Sequence, residues 1–320
     1  MPKQKPTGEF VEKLCRKHPT YSTKKLAEML LQEFPNHYTS IDAARTMVRS
    51  YRGILLGSVK TERITPMFKV PESYEHIPEN FDLPTGIKKV LVLQDIHFPY
   101  HNAESLTSAL EYGYKHSVDA IYLNGDILDI YQLSDHEKDP RKRSLSEELE
   151  MGREFLQDLR TNFDGLPIYY IPGNHELRME RYLYKNPQLL GVPDFQLDVL
   201  LRLGSFGVNW LPHGSVVNFG KLLVEHGDKL RGAGGVNPAR TLLLKFKRPV
   251  ICGHFHRTSQ ANAVIYQDEM MSAWSAGCLC ELEPKYMPVN EWNHGFSIIN
   301  MLGEGNYHVE NKMIVAGKVF

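Results

Sequence analysis

Lys88-Lys89-Val90-Leu91-Val92-Leu93-Gln94-Asp95-Ile96-His97 is the stretch whose reading decides the fold. Lys88–Leu93 reads as a short apolar strand that delivers the polar Asp95-Ile96-His97 at its carboxyl end. Working outward, a helix is expected over about Ala103–His116, then a second strand, Ala120–Leu123, ending in Asn124-Gly125-Asp126. Asp95 and Asp126 stand 31 residues apart, about one strand–helix–strand unit. Ser144-Leu145-Ser146-Glu147 has the form of a capping box and opens another helix to about Arg160. A strand at Pro167–Ile171 follows and leads into Pro172-Gly173-Asn174-His175-Glu176. The second half is strand-rich: Leu222–Glu225, Pro249–Cys252, Ala263–Tyr266, Met270–Ala273, Phe296–Met301 and Tyr307–Val309. The expected class is α/β.

Five polar clusters follow strand-like runs: Asp95-Ile96-His97, Gly125-Asp126, Gly173-Asn174-His175, His226-Gly227 and Gly253-His254-Phe255-His256. In an open α/β sheet the carboxyl ends of the strands converge on one crevice. Within Asp95/His97 and His254/His256 the spacing is two, which in extended backbone sends both side chains to the same side. Imidazole, carboxylate and amide oxygen without thiolate suit Mn, Fe or Zn rather than a structural cysteine site. A bridging carboxylate can hold two cations roughly 3.5–4 Å apart, the arrangement that clamps the attacking and leaving oxygens of a phosphate. Glycine beside each ligand lets backbone and substrate come close. Singly, each cluster has a plain structural reading: Gly125-Asp126 and Gly173-Asn174 as turns, His226 as a core histidine. All five in one order, each behind a strand, point to a shared cation site.

This ordered set resembles the calcineurin-like metallophosphoesterase superfamily, whose pattern is D-x-H, G-D-x-x-D, G-N-H-[DE], H and G-H-x-H. The matching residues are Asp95-Ile96-His97, Gly125-Asp126-Ile127-Leu128-Asp129, Gly173-Asn174-His175-Glu176, His226 and Gly253-His254-Phe255-His256. The match covers about residues 88–312. The resemblance implies two mixed β-sheets sandwiched between helices. It also implies one divalent ion held by Asp95, His97 and His256, a second held by Asn174, His226 and His254, and Asp126 bridging them. Asp129 matches a carboxylate that orients a ligand, and His175 corresponds to the family's catalytic histidine. The implied cofactors are two divalent ions, manganese first, with Fe, Zn, Ni and Mg as alternatives. His213-Gly214 competes for the fourth motif; His226 is preferred because Leu222-Leu223-Val224-Glu225 is the better strand leading to it. Two cations would acidify a bridging water, so that hydroxide attacks phosphorus in line. His175 would then protonate the leaving oxygen or stabilise phosphoryl charge. Gly277-Cys278-Leu279 and Trp292-Asn293-His294-Gly295-Phe296 further resemble a phosphoesterase type frequent in phage and prophage genomes.

With 42% hydrophobic and 23% charged residues, the 320-residue chain has an ordinary globular balance. It holds no apolar run of about 18 residues, so no membrane span is expected, and its N-terminus lacks the apolar core of a secretory signal. Four cysteines (Cys15, Cys252, Cys278, Cys280) are too few for a disulfide framework. Cys278 and Cys280 are read as buried small residues, and a cytoplasmic protein with reduced thiols is expected. The net charge of −1 hides an asymmetry, because residues 1–65 carry twelve Lys and Arg against six Asp and Glu. That basic front end suggests a polyanionic partner.

Residues 1–53 read as a helical module, 54–86 (with prolines 66, 71, 78 and 84) as a linker, and 87–320 as the phosphoesterase domain. In the module, Gly8–Lys17 is one helix and Ser22 caps a second that ends near Pro35. Thr39-Ser40-Ile41-Asp42 opens a third that stops at Gly53. Ile41, Ala44, Val48 and Tyr51 form its inward stripe, and Arg45, Arg49 and Arg52 share a neighbouring face. The arrangement resembles a helix-turn-helix, which would offer those arginines to a nucleic-acid groove; a small helical cap with solvated arginines is the competing reading. Lys138, Arg141, Lys142 and Arg143 could extend a basic surface, and Arg231-Gly232-Ala233-Gly234-Gly235 reads as a flexible border of the crevice. Serine/threonine protein phosphatases carry Asp-Arg-Gly after the second motif, whereas Asp129-Ile130-Tyr131 stands here. The expected function is hydrolysis of phosphodiester bonds in DNA. The alternative is a phosphatase or phosphodiesterase acting on nucleotides or other small esters, its N-terminal module serving assembly. A DNA-binding regulator with a degenerate domain fits poorly with an intact ligand set.

Overall fold

The computed structural model describes residues 8–18, 21–35, 37–38, 40–55, 78–135, 139, 144–230, 232, 235–265, 269–285 and 287–320. They fall into two units, Met1–Glu75 and His76–Phe320. Within the first, α1 (Gly8–Lys17), α2 (Thr23–Glu33) and α3 (Ile41–Leu55) enclose a small core of Val11, Cys15, Leu26, Ala27, Leu30, Ala44 and Val48. The Ser22 side chain caps α2 by accepting the Lys25 N–H. The cap of α3 is Ser40, whose Oγ accepts the Ala43 N–H at 3.2 Å, one residue beyond the expected cap; Thr39 lies outside the described residues. The helix also runs past Gly53, because glycine ends a helix only where it turns left-handed at the C-terminus.

The second unit holds two sheets. The first has the order β1 (Asn80–Asp82), β6 (Val216–Phe219), β7 (Leu222–Glu225), β8 (Val250–Cys252), β10 (Glu269–Ser275), β9 (Ser259–Ile265). The second runs β13 (Lys318–Val319), β12 (Asn306–Val315), β11 (His294–Gly303), β2 (Lys89–Leu93), β3 (Ala120–Asn124), β4 (Ile168–Ile171), β5 (Val208–Trp210). Both are mixed: β2 to β5 are parallel, as are β7, β8 and β10, and antiparallel partners flank each block. Among the described residues five α-helices complete the unit: α4 (Ala103–Lys115), α5 (Leu145–Asn162), α6 (Leu177–Lys185), α7 (Leu197–Leu200) and α8 (Pro238–Phe246).

Alternation along β2 sorts its side chains between two cores. Val90 and Val92 meet Tyr122, Val217, Phe219, Val224 and Ile251 between the sheets. Leu91 and Leu93 meet Leu106 of α4 and Leu149, Phe155 and Leu156 of α5 on the outer face. A third core joins Leu223, Val250 and Cys252 to Ala239, Leu242 and Leu243 of α8. The result is two mixed sheets between helices, as the motif pattern implied. Both faces of β2 and β3 are buried, which is why they read as unbroken apolar runs.

Several boundaries move. Asn80–Asp82 belongs to a sheet, pairing in parallel with Val216–Asn218, so the stretch 54–86 is not linker throughout; its residues 56–77 lie outside the described set. The sequence reading has no counterpart for β1, β5, β6, β13, α6, α7 or α8. The Ser144–Glu147 capping box is present as expected. Lys138, Arg141, Lys142 and Arg143, and Arg231, Ala233 and Gly234, lie outside the described residues. Among the described residues no helix is long and apolar enough to cross a membrane.

Candidate metal centre

The ligand-bearing residues follow the carboxyl ends of β2, β3, β4, β7 and β8, and those after β2, β3 and β8 are not in extended backbone. Asp95, His97, Asp126, His254 and His256 have φ of 52°, 54°, 52°, 65° and 53°, in the left-handed region that non-glycine residues rarely enter. The expectation that extended backbone aligns Asp95 with His97, and His254 with His256, therefore fails. Tight turns, not strand pleating, bring each pair together. Hydrogen bonds hold those turns: Asp95 N–H donates to the Gly125 carbonyl (3.1 Å) and His97 N–H to the Asp126 carbonyl (2.9 Å). The His254 N–H donates to Asp95 Oδ2 at 2.8 Å. Such conformations persist only where surrounding structure over-determines them.

Two groups of donors result. In the first, His97 Nε2 lies 3.2 Å from His256 Nε2, and Asp95 Oδ1 lies 3.3 Å from His256 Nε2 and 4.0 Å from His97 Nε2. In the second, His226 Nε2 lies 3.3 Å from Asn174 Oδ1 and 3.2 Å from Asp126 Oδ2, with His254 in the same cluster. Asp126 Oδ2 is also 3.8 Å from His97 Nε2, so one carboxylate oxygen touches both groups. His175 stands alongside, its Nε2 3.9 Å from Asp126 Oδ2. His213 is outside the cluster and faces Asp228 instead, at 3.4 Å.

The outer ring nitrogens have their own partners, which fix the faces turned inward. His226 Nδ1 donates to the Asn124 carbonyl at 2.8 Å. Asp129 Oδ1 receives His97 Nδ1 at 3.3 Å and His175 Nδ1 at 2.9 Å. Arg178 donates to the Asp129 carbonyl at 2.6 Å and lies 3.3 Å from His175 Nε2. His256 Nδ1 faces Cys280 Sγ at 3.7 Å. Beneath the second turn, the buried Glu176 carboxylate accepts the N–H groups of Asp126, Ile127, Leu128 and Gly173 and the Tyr170 hydroxyl, all within 2.8–2.9 Å. The roles of Glu176, Arg178 and Cys280 were not in the sequence reading. The only signal for any of them was the glutamate closing Gly173-Asn174-His175-Glu176.

Burial alone would raise the carboxyl pKa values here, yet the imidazoles outweigh it. His226 and His175 hold Asp126 well below the usual carboxylate range. His256 lowers Asp95, and His175 and His97 lower Asp129. Conversely, burial would lower His226, but the Asp126 carboxylate lifts it to about 10. For Cys278, burial is outweighed by the Cys280 thiol and His256, which bring it down to about 5. The carboxylates are thus charged at neutral pH.

Asp95 Oδ1 is buried and accepts no hydrogen bond, and the His97 and His256 nitrogens converge beside it. Buried acceptors that converge in this way fit a cation, because leaving them unpaired is costly. In the N-terminal unit, Arg45 pairs with Asp42 at 3.1 Å. Arg52 donates to the Tyr21 carbonyl and, at 3.3 Å, to Thr23 Oγ1, and Arg49 is exposed.

A profile of the calcineurin-like phosphoesterases matches residues 88–276, and the chain belongs to that family. It is 26% identical over 246 residues to the Gene 54 protein of Mycobacterium phage L5, covering 71% of this chain and 93% of that protein. Among solved structures it is similar to zinc-complexed Vps29 from Entamoeba histolytica, at 13% identity and TM-score 0.40, over 72% of this chain and 96% of that one. It is also similar to YfcE, a phosphoesterase from E. coli, at 14% identity and TM-score 0.31, over 71% and 97%.

Proposed function

We propose that this phosphoesterase hydrolyses phosphodiester bonds in nucleic acid, DNA first, with two divalent ions in the centre and manganese the first candidate. The observation that carries the reading is Asp126 Oδ2, within 3.2 Å of His226 and 3.8 Å of His97, where one carboxylate can join two cation sites. Asp95, His97 and His256 would hold one ion, and Asn174, His226 and His254 the other. The ions, when bound, acidify water and neutralise charge on phosphoryl oxygens. His175 is held by Asp129 through Nδ1 and turns Nε2 toward the crevice, where it can hand a proton to the departing oxygen. Arg178 donates to the Asp129 carbonyl and so steadies the residue that holds His175. The basic balance of residues 1–65 and the exposed Arg49 favour a polyanionic substrate.

The test is cleavage of a labelled oligonucleotide by the full chain with Mn, Zn or Mg, and its loss on chelation. Asp126→Asn should lower metal content below two ions per chain and stop cutting. Hydrolysis of bis-p-nitrophenyl phosphate with DNA left intact would instead favour small phosphate esters, with the N-terminal unit used for assembly.

A further inference from the structure

Next to the metal centre, α6, the turns at 187–195 and the β5–β6 connection line a cavity of about 590 Å³, within the usual size range of small-molecule sites. Pro172 and Glu176 are among its lining residues, so the cavity and the ligand cluster share the turn that carries Asn174 and His175. His213, the rival for the fourth motif, also lines it. Burial would raise the Asp228 carboxylate that His213 faces, but its hydrogen bond to His213 and then the nearby charge of His226 hold it below the usual carboxylate range. The cavity thus shares the 172–176 turn with the ligand cluster, and His213 and Asp228 lie between its lining and the residues of the second ion's side.

Its chemistry is unlike that of a phosphate site. Trp210 and Phe195 offer aromatic surface, Leu190 stands among its lining residues, and Glu180 and Asp198 add two carboxylates. The Tyr184 hydroxyl donates to Glu180 and orients it. Among the described residues no lysine or arginine lines it. A second phosphate would be repelled there. A flat neutral ring with N–H donors would stack on the aromatics and donate to the carboxylates, the pairing by which Asp and Glu read an exocyclic amino group.

Building on the phosphodiesterase reading, we propose that this cavity receives the nucleobase adjoining the phosphate under attack, with preference for the bases that bear an exocyclic amino group (cytosine, adenine and guanine) over thymine. The phosphate sits at the ions, and the base is read one turn away.

The test uses nucleosides, which carry no phosphate, titrated into the full chain with chelator present and followed by saturation-transfer NMR. Cytidine, adenosine and guanosine should saturate and thymidine should bind more weakly; equal binding of thymidine would overturn the amino preference. Phe195→Ala should weaken cytidine about 10-fold, and Leu190→Trp, which fills the cavity, should abolish binding. Both positions are partly open (37% and 50% exposed), so these variants should fold; matched circular dichroism checks this. No saturation by any nucleoside, or unchanged affinity in Leu190→Trp, overturns the pocket. Cleavage of diesters without nucleoside binding counts against the pocket alone. Nucleoside binding without diester cleavage counts against the phosphodiesterase reading alone.

Discussion

Glu176 shows how much of the centre depends on a side chain that would touch neither ion. Five donors end on its carboxylate, and four of them are the backbone of the turns carrying Asp126 and Asn174. Glu176→Ala would orphan those buried donors at about 1–3 kcal/mol each. A loss of at least about 3 kcal/mol in chelator is expected by urea unfolding, with weakened metal retention. His175→Ala should keep both ions by elemental analysis while turnover falls about 10²–10⁴-fold; loss of metal would show that His175 is a ligand instead. Cys280→Ala removes the partner of His256 Nδ1 and should cost about 10–100-fold in metal affinity, read by competition with a fluorescent chelator. At this scale the sequence exposed what its letters repeat: seven candidate ligands, Asp129 and His175, each behind an apolar run. It did not expose Arg178 or Cys280, because a contact between a side chain and another residue's ring nitrogen leaves no spacing to read. Cys278 and Cys280 are buried, as expected, but their place beside His256 was not foreseen.

At the scale of elements, glycines set how closely the turns meet. A Cβ on Gly173 would fall 2.3 Å from Asp126 Oδ1 and 2.8 Å from His226 Nε2, and one on Gly253 would fall 2.6 Å from Asp95 Oδ2. Gly173→Ala should therefore give a folded protein, destabilised by about 1–3 kcal/mol, that retains less than one full ion at the second position by elemental analysis. Retention of both ions would mean the turn can yield. Strands buried on two faces (β2, β3, β4, β7, β8) were legible as apolar runs. Three-residue strands such as Val208–Trp210 are too short to show a period. Helix α8 did carry a start signal, Asn237 capping with Pro238 in the first turn, which the strand-rich impression of the second half concealed.

For the molecule as a whole, the sandwich was legible only through the motifs, since nothing in an apolar run says which of two sheets it joins. Stability offers an independent probe through Glu148, which is buried on α5. Burial, then the nearby Asp129 charge, lifts its pKa from 4.5 to about 8. Between those values the folded chain holds a proton that the unfolded chain has released, so this group makes stability fall as pH rises from about 4.5 to 8. Glu148→Gln should remove that slope. In chelator, its melting temperature relative to the parent should climb between pH 5 and 8.5, at roughly 2–4 °C per kcal/mol; parallel curves would mean Glu148 titrates normally. The tiny strand β1 has an effect out of proportion to its three residues. It shields the outermost backbone row of β6, so a chain trimmed to begin at residue 87 would present that raw margin to its neighbours. Self-association through edge pairing is the expected behaviour of such a trimmed chain, whereas one that keeps residues 78–86 should elute as the parent protein does.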